Sequence, residues 1–182
     1  MAFFVTAERL VNQVHGYEPQ RQNNFGIQID GLAGGKLASE EITLALDTAF
    51  APVVRNEEIA LPYGNEVVFA AGRAVPEPGA LVVRDFVDRQ IAAILVDWRK
   101  QVYDDGTGAV GFAAEYKKTG YIFLFASNST DGQPNKLRKW RLDGLWPLHI
   151  NPAANGLTMN AAGALTIEMS LRFDKASFEI SG

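Results

Sequence analysis

Gly106-Thr107-Gly108-Ala109-Val110-Gly111 spells G-x-G-x-x-G, the spacing that lets backbone approach a dinucleotide pyrophosphate. That chemistry needs a strand before the glycines and a helix after them, because the helix N-terminus holds the phosphates. Here a helical pattern precedes and a strand-like pattern follows, so the glycines read as a turn. His15 and His149 are the only histidines, and neither has a second histidine at ligand spacing. Asp104-Asp105-Gly106 and Asp131-Gly132 lack the D-x-[DN]-x-[DN]-G calcium pattern. With no cysteine there is no thiol nucleophile, thiolate metal site or disulfide, and no G-x-S-x-G elbow occurs. These residues point to no catalytic constellation, no cofactor and no dedicated metal site.

Two further motifs have plainer readings. Asn128-Ser129-Thr130 matches a glycosylation sequon, but Glu8 and Arg9 interrupt any signal-peptide core near the N-terminus, so the match reads as accidental. Lys136 to Arg141 is a basic run around Trp140. It reads as a strand with Trp140 and Leu142 turned inward and its charges solvated. Asp30, Glu41, Asp47, Glu58, Glu66 and Glu168 stand beside apolar residues on strand-like segments. Several such strands around one cavity form an acidic wall.

Composition sets the frame for these residues. The chain has 182 residues, 47% hydrophobic and 21% charged, enough for one sizeable core and a single domain by default. Its formal charge of −4 opposes a basic grip on nucleic acid, although not a passive path for it. The lack of cysteine suits a cytoplasmic origin, and no apolar run approaches a membrane span.

The clearest periodic element is Asp85 to Tyr103, where Val87, Ile91, Ile94, Leu95, Trp98 and Val102 recur at steps of three and four and predict one helical stripe. Burying each such side chain is worth roughly 1.5–3 kcal/mol as an upper estimate. Strands are expected around it: Phe25 to Gly31; Glu41 to Asp47, by alternation of Ile42, Leu44 and Leu46; short segments at Glu58–Leu61 and Glu66–Ala71; and Val110 to Tyr116. Tyr121 to Phe125, apolar on both faces, predicts a central strand with the helix packed on one of its faces. Leu137 to Leu142 resumes extended structure until Pro147 breaks it, and Leu165 to Asp174 has the cleanest alternation. Residues 1–24 read as a polar N-terminal arm before a single domain over 25–182. The expected fold is mainly β, an antiparallel barrel or sandwich with one flanking helix at about 85–103.

The segments VYDDGTGAVGFAAEYKKTGYIFLF and KLRKWRLDGLWPLHI resemble those of tail tube proteins of bacteriophages with contractile tails, a group related to secretion-system tube proteins. NNFGIQIDG, the 41–71 region and LTIEMSLRFDKA occupy the positions such a protein would give them. The resemblance implies a structural β-barrel subunit, not an enzyme, assembled as stacked hexameric rings. Their acidic lumen conducts genomic DNA during ejection without binding it specifically. It further implies a place in the virion tail, assembly in the host bacterial cytoplasm, and sheath, baseplate, tail terminator and tape measure proteins as partners, with no membrane. On that basis Glu41, Thr43, Asp47, Thr166, Glu168 and Ser170 are expected to line the lumen. Asp88, Arg89, Asp97, Arg99, Asn128 and Asp131 are expected to contact neighbouring subunits or the sheath. The tube of a phage-like contractile secretion or injection apparatus is a close alternative, and a monomeric small-ligand-binding β-barrel a distant one.

Overall fold

The computed structural model describes residues 24–33, 35–87, 91–125, 136–158 and 163–180. All but the last residue of the expected N-terminal arm lies outside them, as do Asp88, Arg89, Asn128 and Asp131.

The architecture is mainly antiparallel β, as expected, and among the described residues it is an open array with no closed barrel. β1 (Phe25–Ile29), β8 (Lys118–Phe125), β9 (Lys136–Asn151), β10 (Thr166–Arg172), β5 (Gly79–Arg84) and β2 (Leu46–Thr48) pair in that order, and β11 (Lys175–Ile180) also pairs with β9. β9 is the hinge of this layout. Its first part pairs with β8 and β11, whereas Trp146 to Asn151 pairs with β10. The turn between the two regimes is built at Gly144, whose φ is +68° and where a Cβ would collide with the Asp174 carboxylate. Asp174 in turn donates its backbone N–H to Asp143 O at 3.0 Å and accepts from Lys117 Nζ at 2.6 Å. Pro147 therefore does not break the strand: it sits opposite Leu171, beside a bulge, where a missing N–H is tolerated.

One core joins both regions of the sheet to the helices. Ile27, Ile29, Ile122, Leu142 and Leu145 meet Leu81, Val83, Ile167, Met169, Leu171 and Phe173. The predicted helix is present as α2 (Ile91–Val102) and adds Ile91, Leu95 and Trp98. Two expectations for it are corrected. Val87 is fully exposed and lies off the helix, and the main partner is β9, with Tyr121–Phe125 contributing only its Ile122 face to the shared core. Tyr121, Phe123 and Phe125 alternate onto the other face, their rings stacked at 6.1 and 6.3 Å.

The segment expected as a strand at Glu41–Asp47 is instead mostly a helix, α1 (Gly35–Ala45). The alternation of Ile42, Leu44 and Leu46 misleads because the true stripe is Ala38, Ile42 and Ala45, all buried, while Leu44 is exposed. Polar bonds add to this apolar stripe. Ser39 Oγ accepts from Ile29 N (3.2 Å) and donates to Ile29 O (2.8 Å), and Thr43 Oγ1 donates to Ile27 O at 2.5 Å. Among the described residues β1 pairs with β8 on one side only, so these hydroxyls satisfy backbone groups that an edge strand would otherwise present to another chain. Ser39→Ala leaves the N–H and C=O of a buried residue without that partner and is expected to lower stability by about 1–3 kcal/mol, read by urea unfolding. An unchanged midpoint would show that the edge needs no seal.

Val110–Tyr116 is likewise not a strand. Tyr103–Asp104 and Ala109–Val110 form the short pair β6–β7, and Ala113–Tyr116 is a helical turn, α3. β5 and β11 complete the array without having been expected, and so does most of the ribbon described next.

Candidate assembly surfaces

Among the described residues β3 (Val54–Tyr63) and β4 (Glu66–Pro76) pair only with each other, as a long antiparallel ribbon. Gly64-Asn65 closes it. Gly64 has φ +62° and Asn65 does not take a positive φ, the arrangement of a type II′ turn, whose twist matches the strands. Near its base Arg73 clasps Glu57 through two bonds of 2.9 and 3.1 Å, and Arg55 lies 3.7 Å from Glu77. These pairs are exposed and contribute little to stability.

The far half of the ribbon is apolar on both faces. Ile59, Leu61 and Tyr63 lie opposite Ala70, Val68 and Glu66 on one face; Ala60 and Pro62 lie opposite Phe69 and Val67 on the other. Every residue of β3 is exposed, and Val67, Val68 and Phe69 are 53%, 56% and 61% exposed. A lone two-stranded ribbon is marginal in water, and one with two apolar faces calls for cover on both. Sequence reading found strand signals here but missed their consequence. The signal that was available is the run Val67-Val68-Phe69 opposite Ala60-Leu61-Pro62, apolar without alternation, with Pro62 unsuited to a sheet interior.

A second exposed apolar surface lies beyond α2. Tyr103 and Val110 are directly opposed on β6–β7, and Gly111 extends the ladder by donating to Val102 O at 3.0 Å. Phe112 follows in extended conformation, two residues from Val110 and therefore on its side. Tyr103, Val110 and Phe112 are 38%, 74% and 77% exposed. The strip is firmly mounted. Trp98 Nε1 donates to Tyr116 O at 2.8 Å, and a Cβ at Gly111 would meet Gln101 O, so only glycine fits that approach. In the intervening turn the Asp104 carboxylate accepts from Gly106 N–H and Thr107 Oγ1, which holds its pKa below the usual carboxylate value. This is the turn that the G-x-G-x-x-G spacing encodes.

The residues expected at a lumen are only partly brought together. Thr166, Glu168 and Ser170 alternate onto one half-buried face of β10, opposite Arg84, Val82 and Ala80 of β5 on one side. On the other side Asn151 and His149 of β9 lie opposite Glu168 and Ser170. Asp47 joins this face through an ion pair with Arg84 at 2.6 Å. Glu41 and Thr43 do not: they stand on α1, where Thr43 spends its hydroxyl on β1, so the strand-face reason for grouping them is gone. The face is also mixed in charge, because Arg84 offsets Asp47 and Arg172 lies on the same β10 face as Glu168, four residues along the strand. Of the expected contact residues, Asp97 and Arg99 are on α2. Asp97 lies 3.6 Å from Lys100; Arg99 donates to Tyr103 O at 3.1 Å with its guanidinium 5.8 Å from the Tyr103 ring centre.

The basic run around Trp140 divides as expected. Leu142 is fully buried and Trp140 packs on the core beside Phe178, while Lys139 and Arg141 lie on the opposite face with Glu179 and Asp143 as partners. Among the described residues no cluster of side chains suited to a metal ion occurs, and no helix is long and apolar enough to cross a membrane.

No protein-family profile matches the chain, and no curated protein sequence does. Solved structures do match in fold. The chain is similar to one in the cryo-EM structure of the anti-feeding prophage cap, the AFP tube-terminating cap, with 12% identity over 94% of this chain and 97% of that one and a TM-score of 0.68. A chain of the PVC sheath–tube complex, an extracellular contractile injection system in its extended state, covers 98% of this chain and is itself covered in full, at 13% identity and a TM-score of 0.63. A chain of the PVC sheath/tube terminator matches at 13% identity over 89% of this chain and 97% of that one, with a TM-score of 0.66. The fold is thus one found in contractile injection assemblies, in keeping with the resemblance drawn from the sequence.

Proposed function

We propose that this chain, having that fold, is the structural subunit of a tube of the contractile-tail type, polymerising as stacked hexameric rings around a conducting lumen. The observation that carries this reading is the ribbon of residues 54–76: two apolar faces, both in water, make sense on a subunit whose neighbours cover them. A head-to-tail contact through such an arm is heterologous, and repetition of it builds rings and tubes. Sedimentation of the purified chain tests this directly. Polymers that grow above a critical concentration are expected; a species that stays monomeric at all concentrations overturns the proposal.

Within that reading the polar face of β10 is the lumen wall, presenting Thr166, Glu168 and Ser170 with Asp47 beside them. Glu168→Lys combined with Ser170→Lys should leave assembly intact and make tubes retain added DNA against nuclease. Tubes that assemble yet retain no more DNA than wild type would place this face elsewhere.

The cargo has two candidates. Genomic DNA of a phage tail is the first, and sheath, baseplate, terminator and tape measure proteins are then the partners. The second is the cargo of an injection apparatus, favoured by the names of the matching assemblies and by the mixed charge of the β10 face, which repels DNA less than an acidic wall does. Electron microscopy of particles from the source cells separates them: DNA-filled heads on the tails select the first, headless particles the second.

A further inference from the structure

The apolar strip Tyr103–Val110–Phe112 and the ribbon carry complementary features that have no counterpart among the described residues of their own chain. Arg99 stands at the Tyr103 end of the strip, its guanidinium beside the ring and without a carboxylate partner among the described residues. On the ribbon, Glu66 follows the closing turn on the same face as Ile59, Leu61 and Val68, and has no cationic partner among the described residues. One surface is thus an apolar row ending in a cation, and the other an apolar row ending in a carboxylate. Both are extended antiparallel pairs of similar width, and both are exposed. Among the described residues the two surfaces do not pack extensively on each other inside one chain.

We propose that the strip is the receiving site for the ribbon of a second copy: Ile59, Leu61 and Val68 of one subunit cover Tyr103, Val110 and Phe112 of the next, and Glu66 pairs with Arg99. The contact is heterologous, so each subunit gives a ribbon and offers a strip, and the chain of contacts propagates. The strip's mounting on α2 through Trp98 and Gly111 supplies a rigid seat, while the ribbon supplies reach. Burial of the ion pair at the end of the row sets the register of the ribbon on the strip. The other ribbon face, with Val67 and Phe69, remains for a further neighbour. This inference rests on the tube reading but specifies more than it.

The test is a charge swap followed by a cross-link. Glu66→Arg and Arg99→Glu should each raise the critical concentration for assembly roughly tenfold or more, and the double swap should recover most of that loss. Circular dichroism of each variant confirms that it is folded. In addition, Val68→Cys with Phe112→Cys should give a ladder of disulfide-linked chains when assembled tubes are oxidised; the absence of native cysteine keeps the background clear. Tubes that form from the cysteine variant without any ladder, together with a double swap no better than either single change, overturn the strip as the seat and leave the tube reading standing. Failure of the wild-type chain to polymerise overturns both.

Discussion

Leu61→Glu combined with Val68→Lys should give a soluble, folded chain that no longer polymerises. The two residues are directly opposite on β3 and β4, and are 49% and 56% exposed, so the new charges meet across the ribbon and keep its strands paired. The monomer then loses little, within about 0.5 kcal/mol, because neither side chain packs on the core. Assembly loses far more. Covering the ribbon would bury this ion pair in an apolar contact, where desolvation costs several kcal/mol per ion and the apolar cover supplies no further hydrogen bonds to repay it. Thermal unfolding of the monomer and sedimentation of the assembled form read the two effects separately. Variant tubes that form at the wild-type concentration would show that the ribbon face is not an interface.

Trp98→Ala should act at the other level, on the fold and not on the contacts between folds. Trp98 is 1% exposed, lies in the single core with Ile91 and Leu95, and donates its indole N–H to Tyr116 O. Its loss is expected to cost about 3–5 kcal/mol, a large part of the ~5–15 kcal/mol that stabilises an ordinary domain. Tyr116 loses its partner at the same time, and with it goes one tie that holds α3 against α2. Trp98→Phe keeps much of the volume and removes the hydrogen bond, so it should fall between, at about 1–3 kcal/mol. Urea unfolding of the three chains measures the order. A Trp98→Ala chain of undiminished stability would mean that the stripe of α2 faces a neighbour and not its own core.

Several elements could be read from residue types because one physical cause dominated each. Ile91, Leu95 and Trp98 declare a helix by spacing alone, and Ile167, Met169 and Leu171 declare a strand, since in both cases large apolar residues mark the buried side without competition. α1 was misread because its buried stripe is made of Ala38, Ile42 and Ala45, and alanine carries too little apolar weight to outvote an exposed Leu44. Tertiary bonds from Ser39 and Thr43 to β1, which no local pattern encodes, favour the helix there. Val110–Tyr116 failed for the opposite reason. Val110 and Phe112 are apolar and alternate, yet both face water, so a pattern that normally reports burial here reports a surface.

The candidate surfaces follow the same division. Asp47, Thr166, Glu168 and Ser170 could be grouped in advance because period two places them on wet strand faces. Glu41 and Thr43 left the group once their segment proved helical. That Arg84 would neutralise Asp47 was not readable, because the two are far apart in sequence and meet only through the β2–β5 pairing. Arg99 lies on the side of α2 away from the Ile91–Leu95–Trp98 stripe; its position over Tyr103 depends on the turn that follows. The ribbon shows most clearly where residue patterns stop. Its strands can be sensed, but whether a strand joins the main sheet or leaves it is a property of the whole chain.

Electron microscopy of the purified wild-type chain, imaged across a range of concentrations, tests the central claim most directly. The tube reading predicts uniform hollow rings or tubes of constant diameter, growing in length as concentration rises. Discrete monomeric particles that persist at high concentration would contradict it.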